Sequence, residues 1–287
     1  MSLIPITAVC NQKCIFCAAH GRNDHPSLEN TLSEIDARIR HGEKQIILSG
    51  GETTLCEDLF KIIRYIKRRG LAIEVQTNGL TSRNMKVAKV MTALGVDLFN
   101  INFPTHESGL NDRITGTAGT LPQRIQGVKN LLACGAEVRI TNIILSINYE
   151  KLPEYVKFIA ENFPGIKYIQ FSYLKGLGAA MENSWLLPPY EKAEPYIIKA
   201  LELCEKNSIE MIVDHIPPCF MGRFYKKNID YIKTGAGADV SIPESEKAQL
   251  PGCEKCAIKD RCFGPRKEHL LMLPKGSVFI KPVLKKD

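Results

Sequence analysis

Three cysteines near the start of the chain constrain it more than any other feature. Cys10, Cys14 and Cys17 stand in the segment C-N-Q-K-C-I-F-C, directly after an apolar run over 3–9 that predicts a short strand. A C-x3-C-x2-C triplet on a tight loop can bind three irons of a cubane iron–sulfur cluster, and it leaves the fourth iron without a protein ligand. An open metal position allows a small molecule to bind and react. The alternatives are a zinc site and three unrelated thiols.

This segment resembles the cluster-binding loop of the radical S-adenosylmethionine (radical SAM) superfamily, in which C-N-x-x-C-x-F-C follows a short strand. The resemblance implies a 4Fe–4S cluster whose free iron binds the amino and carboxylate groups of S-adenosylmethionine (SAM). One electron then cleaves SAM to methionine and a 5′-deoxyadenosyl radical, which abstracts hydrogen from a substrate. It also implies that Phe16 lies near the adenine through its backbone. The cofactor supplies the difficult chemistry, and the protein positions it.

A second motif follows about 35 residues later. Residues 45–52 read Q-I-I-L-S-G-G-E, which predicts a buried strand that ends in two glycines and an acid. Glycine lets a backbone approach a ligand closely, and a carboxylate accepts hydrogen bonds from an ammonium group. The family places Gly-Gly-Glu at the end of its second strand to hold the SAM amino group, and the match here is Gly50, Gly51 and Glu52. Many members continue with Pro-Thr. This chain has Thr53 and Thr54, so we expect Thr53 at the SAM site in a slightly different turn.

Strand-like and helix-like segments alternate through the first 210 residues. Strand patterns cover 72–76, 97–103, 137–145 and 166–172, and helical patterns cover 30–42, 57–69, 82–95, 120–134 and 152–162. With the first two strands, these segments make six βα units. Such alternation predicts an α/β fold with a parallel sheet and helices outside it. The count agrees with the superfamily's partial (β/α)6 TIM-like barrel.

Chemistry in barrels of this kind sits at the C-terminal ends of the strands, where three asparagines are expected. The resemblance makes them the best candidates for further contacts to SAM. Asn102 occupies the place of a ribose-contacting Ser or Asn. Asn78 belongs to a T-N-G that is common in the family and also typical of a turn. Asn142 and Asn148 are both candidates for the contact from the fifth strand, and Asn142 is the residue chosen here.

The pattern of alternating strands and helices changes beyond residue 210. A strand-like run over 210–214 leads to Cys219, and a polar stretch then leads to Cys253, Cys256 and Cys262. Four cysteines can ligate one cluster completely. The C-x2-C-x5-C spacing resembles the auxiliary-cluster segment of radical SAM enzymes with SPASM or shortened "twitch" extensions. The full SPASM pattern has seven cysteines, so the shorter set here implies one auxiliary 4Fe–4S cluster. A four-cysteine zinc knuckle is the alternative.

The predicted organisation is therefore a radical SAM partial barrel over 1–208 and a small cysteine-rich auxiliary-cluster domain over 209–287. Two further residues are candidates for catalysis. Cys56, four residues past Glu52, is placed to return a hydrogen atom to a substrate radical, and packing in the core is the competing interpretation. Tyr173, at the end of the sixth strand, is a candidate for contact with a radical or a substrate.

Composition sets further bounds. A chain of 287 residues with 44% apolar content can bury a large core. It has no apolar run of about 18 residues and no signal peptide pattern, so we expect a cytoplasmic protein without a membrane span. Ten cysteines then favour metal sites over disulfides. The net charge of +7 is spread along the chain, which favours a solvated surface over nucleic acid binding.

The sequence thus predicts a radical SAM enzyme that abstracts hydrogen and then oxidises, joins or epimerises an unactivated carbon. A ribosomal peptide is the preferred substrate, and dehydrogenation of a small metabolite or synthesis of a cofactor precursor is the alternative. The chemistry implies a low-potential flavodoxin or ferredoxin as electron donor. An electron-transfer protein or a zinc-dependent nucleic acid-binding protein is the alternative from another class, but it leaves the Gly-Gly-Glu motif unexplained.

Overall fold

The computed structural model describes residues 2–23, 25–237, 245–274 and 280–284. Seven strands form one sheet in chain order, and every neighbouring pair is parallel. The strands are β1 (Ser2–Thr7), β2 (Gln45–Gly50), β3 (Ala72–Thr77), β4 (Leu98–Asn102), β5 (Val138–Ile144), β6 (Tyr168–Tyr173) and β7 (Met211–Asp214). The α/β fold predicted from the alternating pattern is confirmed, because helices follow the strands in sequence.

Ten α-helices lie within the described ranges. They are α1 (Leu28–Arg40), α2 (Leu59–Arg68), α3 (Met85–Ala93), α4 (Ser108–Thr115), α5 (Leu121–Ala133), α6 (Leu152–Asn162), α7 (Ala179–Glu182), α8 (Tyr190–Lys206), α9 (Ile229–Gly235) and α10 (Lys267–Met272). Local chemistry sets several of their ends. The Ser27 hydroxyl caps α1 by accepting a hydrogen bond from the Asn30 backbone N–H at 3.2 Å. Gly116 ends α4 in the left-handed conformation, with φ of 61°.

The two faces of the sheet differ in chemistry because side chains alternate along each strand. The outer face carries apolar side chains that are buried in the main core with those of the helices. Its members include Ile46, Leu48, Ile73, Val75, Phe99, Ile101, Val138, Ile140, Ile169 and Phe171. Each such side chain stabilises the fold by about 1.5–3 kcal/mol when fully buried. The opposite, inner face carries polar side chains, among them Ser49, Glu74, Asn100, Arg139, Thr141, Gln170, Ser172 and Asp214.

The seventh strand differs from the predicted count of six βα units. Residues 211–214 pair with β6 through Ile169–Ser172, so the sheet continues past residue 208. The 17-residue helix α8 provides the crossover that a parallel pairing requires. The run over 210–214 is too short to show a period, which is why the sequence pattern alone placed it in the second domain. The division at residue 208 itself stays a prediction.

Candidate active site

The cysteine loop leaves the C-terminal end of β1 and is held on two sides by other parts of the chain. The backbone N–H of Lys13 donates to the carbonyl of Thr115 at 2.9 Å, at the end of α4. On the other side, the N–H of Ala179, at the start of α7, donates to the carbonyl of Cys17 at 3.0 Å. Cys10 is exposed, and Cys14 and Cys17 are half-buried. Backbone contacts thus fix the shape of the loop.

The two glycines of the Gly-Gly-Glu motif lie directly against this loop. The N–H of Gly51 donates to the carbonyl of Thr7 at 2.7 Å, and that of Glu52 donates to the carbonyl of Val9 at 2.7 Å. A Cβ atom at Gly50 would lie 2.2 Å from the carbonyl oxygen of Thr7, and one at Gly51 would lie 2.3 Å from that of Val9. These glycines therefore allow the chain itself to approach. They also line a cavity of about 370 Å³ with Pro5, Thr7, Ala8, Ala19, Arg22, His25 and Pro26.

Glu52 and Thr53 join the end of β2 to the end of β3. The Glu52 carboxylate is buried, and its Oε2 accepts a hydrogen bond from the backbone N–H of Asn78 at 2.7 Å. Its Oε1 accepts from the Thr77 hydroxyl at 2.5 Å. Thr53 is fully buried, and its hydroxyl donates to the carbonyl of Gln76. A contact of either residue with SAM stays a prediction.

Of the three predicted asparagines, the structure brings Asn78 to the cysteine loop, places Asn102 on the inner face and places Asn142 on the outer face. The Asn78 side-chain amide donates to Oδ1 of Asn11, inside the loop, at 2.7 Å. Asn102 ends β4 on the inner face and is half-buried. Asn142 pairs in register with Phe171 on the outer face, and its amide donates to the carbonyl of Pro104 at 3.0 Å. The alternation along β5 thus turns Asn142 towards the helices.

The side chain of Asn148, the other candidate from this region, is hydrogen-bonded to backbone groups. Its amide donates to the carbonyls of Pro104 at 2.9 Å and Ile143 at 2.8 Å, and its Oδ1 accepts from the N–H of Leu145 at 2.7 Å. These three bonds use most of the hydrogen-bonding capacity of the side chain. Asn148 therefore orders the turn after β5. Phe16 is half-buried beside Cys17 in the loop and packs against the main core.

Arg124 of α5 is a site residue that the sequence analysis missed. Its guanidinium is fully buried and donates to the carbonyls of Asn78 and Asn102 and, at 2.8 Å, to Oδ1 of Asn111. Burial lowers the pKa of Arg124 to about 10, and the electrostatic interaction with Cys14 is the largest effect that opposes this shift. Arg124 forms no ion pair with a carboxylate of the described residues. In the sequence, a charged residue at 124 interrupts the apolar face formed by Leu121, Val128 and Leu131. This interruption is the pattern from which a buried functional arginine could have been predicted.

The residues of the loop fit the cluster that three cysteines imply. Burial raises the pKa of Cys14 to about 12, and Arg124 acts in the opposite direction. An anionic cluster would therefore meet a buried cation, and its binding would release protons from the thiols. The side-chain nitrogen of Gln12 is buried within the loop without a hydrogen-bond partner. It is a donor available to a sulfur of the cluster.

The four C-terminal cysteines border a second cavity. It has a volume of about 20 Å³, and its lining is Pro217, Cys219, Gln249, Cys253, Cys256, Ile258, Lys259, Cys262, Gly264 and Ile280. Burial raises the pKa of Cys219 to about 11 and that of Cys262 to about 12. In the described parts of the chain, no trio of His, Cys, Asp or Glu is arranged to hold a single metal ion.

The two predicted catalytic residues lie at different depths. Cys56 is half-buried at the turn after Thr53–Leu55, packs against the main core, and has a pKa raised by burial. Tyr173 is fully buried, its ring lies against Tyr190 and His269, and its hydroxyl donates to the carbonyl of Pro188 at 2.7 Å. Tyr173 is therefore in the core and is not brought to the cysteine loop.

Polar atoms without partners mark the inner face near the ends of β6 and β7. Gln170 donates to Oδ2 of Asp214 at 2.8 Å, while Oε1 of Gln170 and Oδ1 of Asp214 have no partner within hydrogen-bond distance. Nε of Arg139, on the same face but near the start of β5, is also without a partner. Burial raises the pKa of Asp214. The next residue, His215, has a φ of 62°, which is a strained conformation for a residue with a side chain.

Comparison with known proteins decides the family. The model of the radical SAM superfamily matches residues 4–159, more than half of the chain. The chain belongs to the radical SAM superfamily. Membership implies a 4Fe–4S cluster and SAM as cofactors. Within the described ranges, every helix of this radical SAM protein is too short or too polar to span a membrane.

Several curated relatives carry the names of enzymes. A protein of Thermococcus kodakarensis named "Probable GTP 3′,8-cyclase" is 28% identical over 55% of this chain and 52% of its own length. One of the same name from Sulfurisphaera tokodaii is 29% identical over 79% of this chain and 69% of its own length. An "AdoMet-dependent heme synthase" of Methanosarcina barkeri is 26% identical over 65% of this chain and 54% of its own length. The chain thus matches about half to two thirds of the length of these relatives.

Solved structures of low sequence identity share the fold. SuiB of Streptococcus suis bound to S-adenosylmethionine has a TM-score of 0.67 at 14% identity, over 97% of this chain and 75% of SuiB. The structure of anSMEcpe with bound AdoMet and a peptide has a TM-score of 0.59 at 17% identity, over 73% of this chain and 62% of that one. These similarities support the partial barrel predicted from six βα units.

Proposed function

We propose that this protein is a two-cluster radical SAM enzyme that acts on a small polar molecule. The observation that carries the proposal is that both cysteine sets follow the C-terminal ends of strands, and so lie on the same side of the sheet. The cysteine loop follows the C-terminal end of β1, and Cys219 follows that of β7 by five residues. Both sets therefore lie where a parallel barrel carries its chemistry. Between them lie the C-terminal ends of the other five strands.

In this proposal, the cysteines of the loop, Arg124 and Asn102 have separate roles. Cys10, Cys14 and Cys17 would hold the first cluster, which with SAM supplies a radical able to take hydrogen from an unactivated carbon. Arg124 would balance the negative charge of that cluster from inside the protein. Asn102 would present its amide to SAM from the end of β4. The apolar outer face keeps water from reaching the site through the helices.

The C-terminal cysteines would hold the auxiliary cluster. Zinc in a four-cysteine site draws its sulfurs to about 2.3 Å from one ion. Cys219, Cys253, Cys256 and Cys262 all line one cavity, so the fold brings these four thiols to a single place. Their spacing resembles the auxiliary-cluster segment of radical SAM enzymes, which favours a cluster over zinc. Complete ligation by four cysteines suits electron transfer, so this cluster would accept an electron from a substrate radical.

Counting iron tests the two-cluster proposal. After anaerobic reconstitution we expect about eight irons per chain, and about four when Cys253 and Cys256 are both replaced by Ala. Both proteins should release 5′-deoxyadenosine from SAM when dithionite supplies electrons, because the first cluster is retained. About four irons in the parent protein together with bound zinc would make the C-terminal site structural. Absence of both SAM binding and deoxyadenosine would remove the enzymatic proposal.

The inner face supports a small polar substrate over the ribosomal peptide preferred from the sequence. Oδ1 of Asp214 and Oε1 of Gln170 are free to accept hydrogen bonds. Leaving buried groups of this kind without partners costs about 1–3 kcal/mol each, which a polar ligand would remove. The names of the curated relatives also refer to small molecules, namely GTP and haem.

A size-fractionated cell extract tests the substrate class. We expect the fraction below about 1 kDa to raise deoxyadenosine release above the uncoupled rate, because a bound substrate is consumed with each radical. Asp214→Asn keeps the shape of the side chain but removes its charge, and it should reduce that stimulation about tenfold or more. The uncoupled rate should not change. Stimulation confined to a peptide fraction would instead favour the ribosomal peptide.

A further inference from the structure

An apolar patch is exposed on the segment that covers the cysteine loop. Leu177, Met181 and Trp185 are 44%, 56% and 50% exposed. Leu177 precedes α7, Met181 lies in α7, and Trp185 lies in the turn Ser184–Leu186 that follows it. We call these three residues the surface patch. Large apolar side chains exposed together mark interaction sites more often than single ones do.

The surface patch is joined to the cysteine loop by direct contacts. The indole N–H of Trp185 donates to Oδ1 of Asn183 at 3.3 Å, and the Asn183 amide donates to the carbonyl of Ile15 at 3.2 Å. Ile15 lies between Cys14 and Cys17. Packing is equally close, because a Cβ atom at Gly178 would lie 2.4 Å from the carbonyl oxygen of Cys17. The segment that carries the patch is thus in direct contact with the cysteine loop.

Positive charge borders the surface patch. The Arg113 guanidinium lies over the Trp185 ring, 5.6 Å from its centroid, and Lys13 is exposed within the cysteine loop. Neither side chain has an ion-pair partner among the described residues. Glu182 is the acidic residue of α7 and is also exposed. An apolar centre with a cationic rim is complementary to a partner that carries acidic groups around an apolar contact.

We propose that the surface patch is the docking site of a small acidic electron carrier of the flavodoxin type. The inference rests on the proposed function, because a radical SAM enzyme needs one electron from outside for each cleavage of SAM. The carrier's flavin hydroquinone loses one electron and becomes the semiquinone, and the oxidised cluster at Cys10, Cys14 and Cys17 gains it. Docking at the patch brings the flavin to the side of the cysteine loop that α7 contacts.

Stopped-flow mixing with a reduced acidic flavodoxin tests the docking site. Met181→Glu places a negative charge in the patch, and we expect it to lower the second-order rate of semiquinone formation about tenfold or more. Val90→Glu is the matched control, since Val90 is 40% exposed on α3, a different helix. Both variants should keep the parent's iron content and its dithionite-driven deoxyadenosine release. Equal flavodoxin rates for the two variants would overturn the proposal.

Reversing the charge of Arg113 and reversing that of Glu182 should change the rate of reduction by flavodoxin in opposite directions. Arg113→Glu should slow reduction by flavodoxin, and Glu182→Lys should accelerate it, with both effects weaker at high salt. Shifts in the same direction would contradict docking at this face. The outcomes also separate the two proposals. If dithionite yields no deoxyadenosine in the parent protein, the enzymatic function fails. If dithionite works and the patch variants behave like the parent with flavodoxin, only the docking site fails.

Discussion

Replacing Gly51 with alanine is expected to remove the first cluster while the second one remains. A Cβ atom at this position would lie 2.3 Å from the carbonyl oxygen of Val9 and 2.7 Å from that of Ala8. Both are backbone atoms and cannot move aside as a flexible side chain would. The end of β1 must therefore shift, and the cysteine loop that follows it shifts too. We expect iron to fall from about eight to about four per chain and stability to fall by about 3 kcal/mol.

Gly109→Ala is the matched control for this variant. Like Gly51, Gly109 does not have the left-handed φ that only glycine adopts readily, and no atom lies within 4 Å of a Cβ placed there. It lies in α4, where alanine is favoured over glycine by about 1 kcal/mol. Iron analysis and thermal unfolding compare the two. Full iron content in Gly51→Ala would mean that the loop tolerates the displacement and that the glycines are not needed for cluster binding.

The parts of this protein that the sequence predicts are those in which local pattern and chemistry coincide. Strand patterns over 72–76 and 137–145 agree with β3 and β5, because apolar runs of that length have few alternatives once helices flank them. The cysteine spacings predict two metal sites for a similar reason, since a short loop fixes which thiols can converge. Neither kind of inference requires knowledge of contacts between distant segments.

The sequence alone does not reveal which face of a strand or which partner a residue has. Asn142 and Asn102 both end strands in sequence, yet the pairing register places only Asn102 on the inner face. A shift of one residue exchanges the faces, so the assignment depends on pairing rather than on residue type. Gly51 is a second example. The motif predicts a close approach of the Gly51 backbone to a ligand, which stays a prediction, whereas its close approach to the Val9 carbonyl depends on pairing that the sequence does not show.

Neutralising Arg124 is expected to lower the reduction potential of the first cluster. The guanidinium is fully buried, and its electrostatic interaction with Cys14 opposes the effect of burial. A nearby cation stabilises the reduced cluster, which carries one more negative charge. A unit charge about 8 Å away at an effective dielectric constant of about 20 contributes ~2 kcal/mol, on the order of 90 mV for a one-electron couple. Arg124→Gln should shift the midpoint potential to more negative values by about that amount.

Arg124→Lys separates charge from hydrogen bonding in this experiment. Both variants lose the planar fork that donates to Asn78, Asn102 and Asn111, so both should be destabilised by about 2–3 kcal/mol. Only the Gln variant loses the charge, so only it should change the potential, measured by redox titration in the Cys253→Ala, Cys256→Ala background that leaves one cluster. Arg223→Gln, a neutralised surface arginine that is 60% exposed, should change neither quantity. Equal potentials for Arg124→Gln and the parent would show that the buried cation does not act on the cluster, and its role would then be to hold the ends of β3 and β4 against α4.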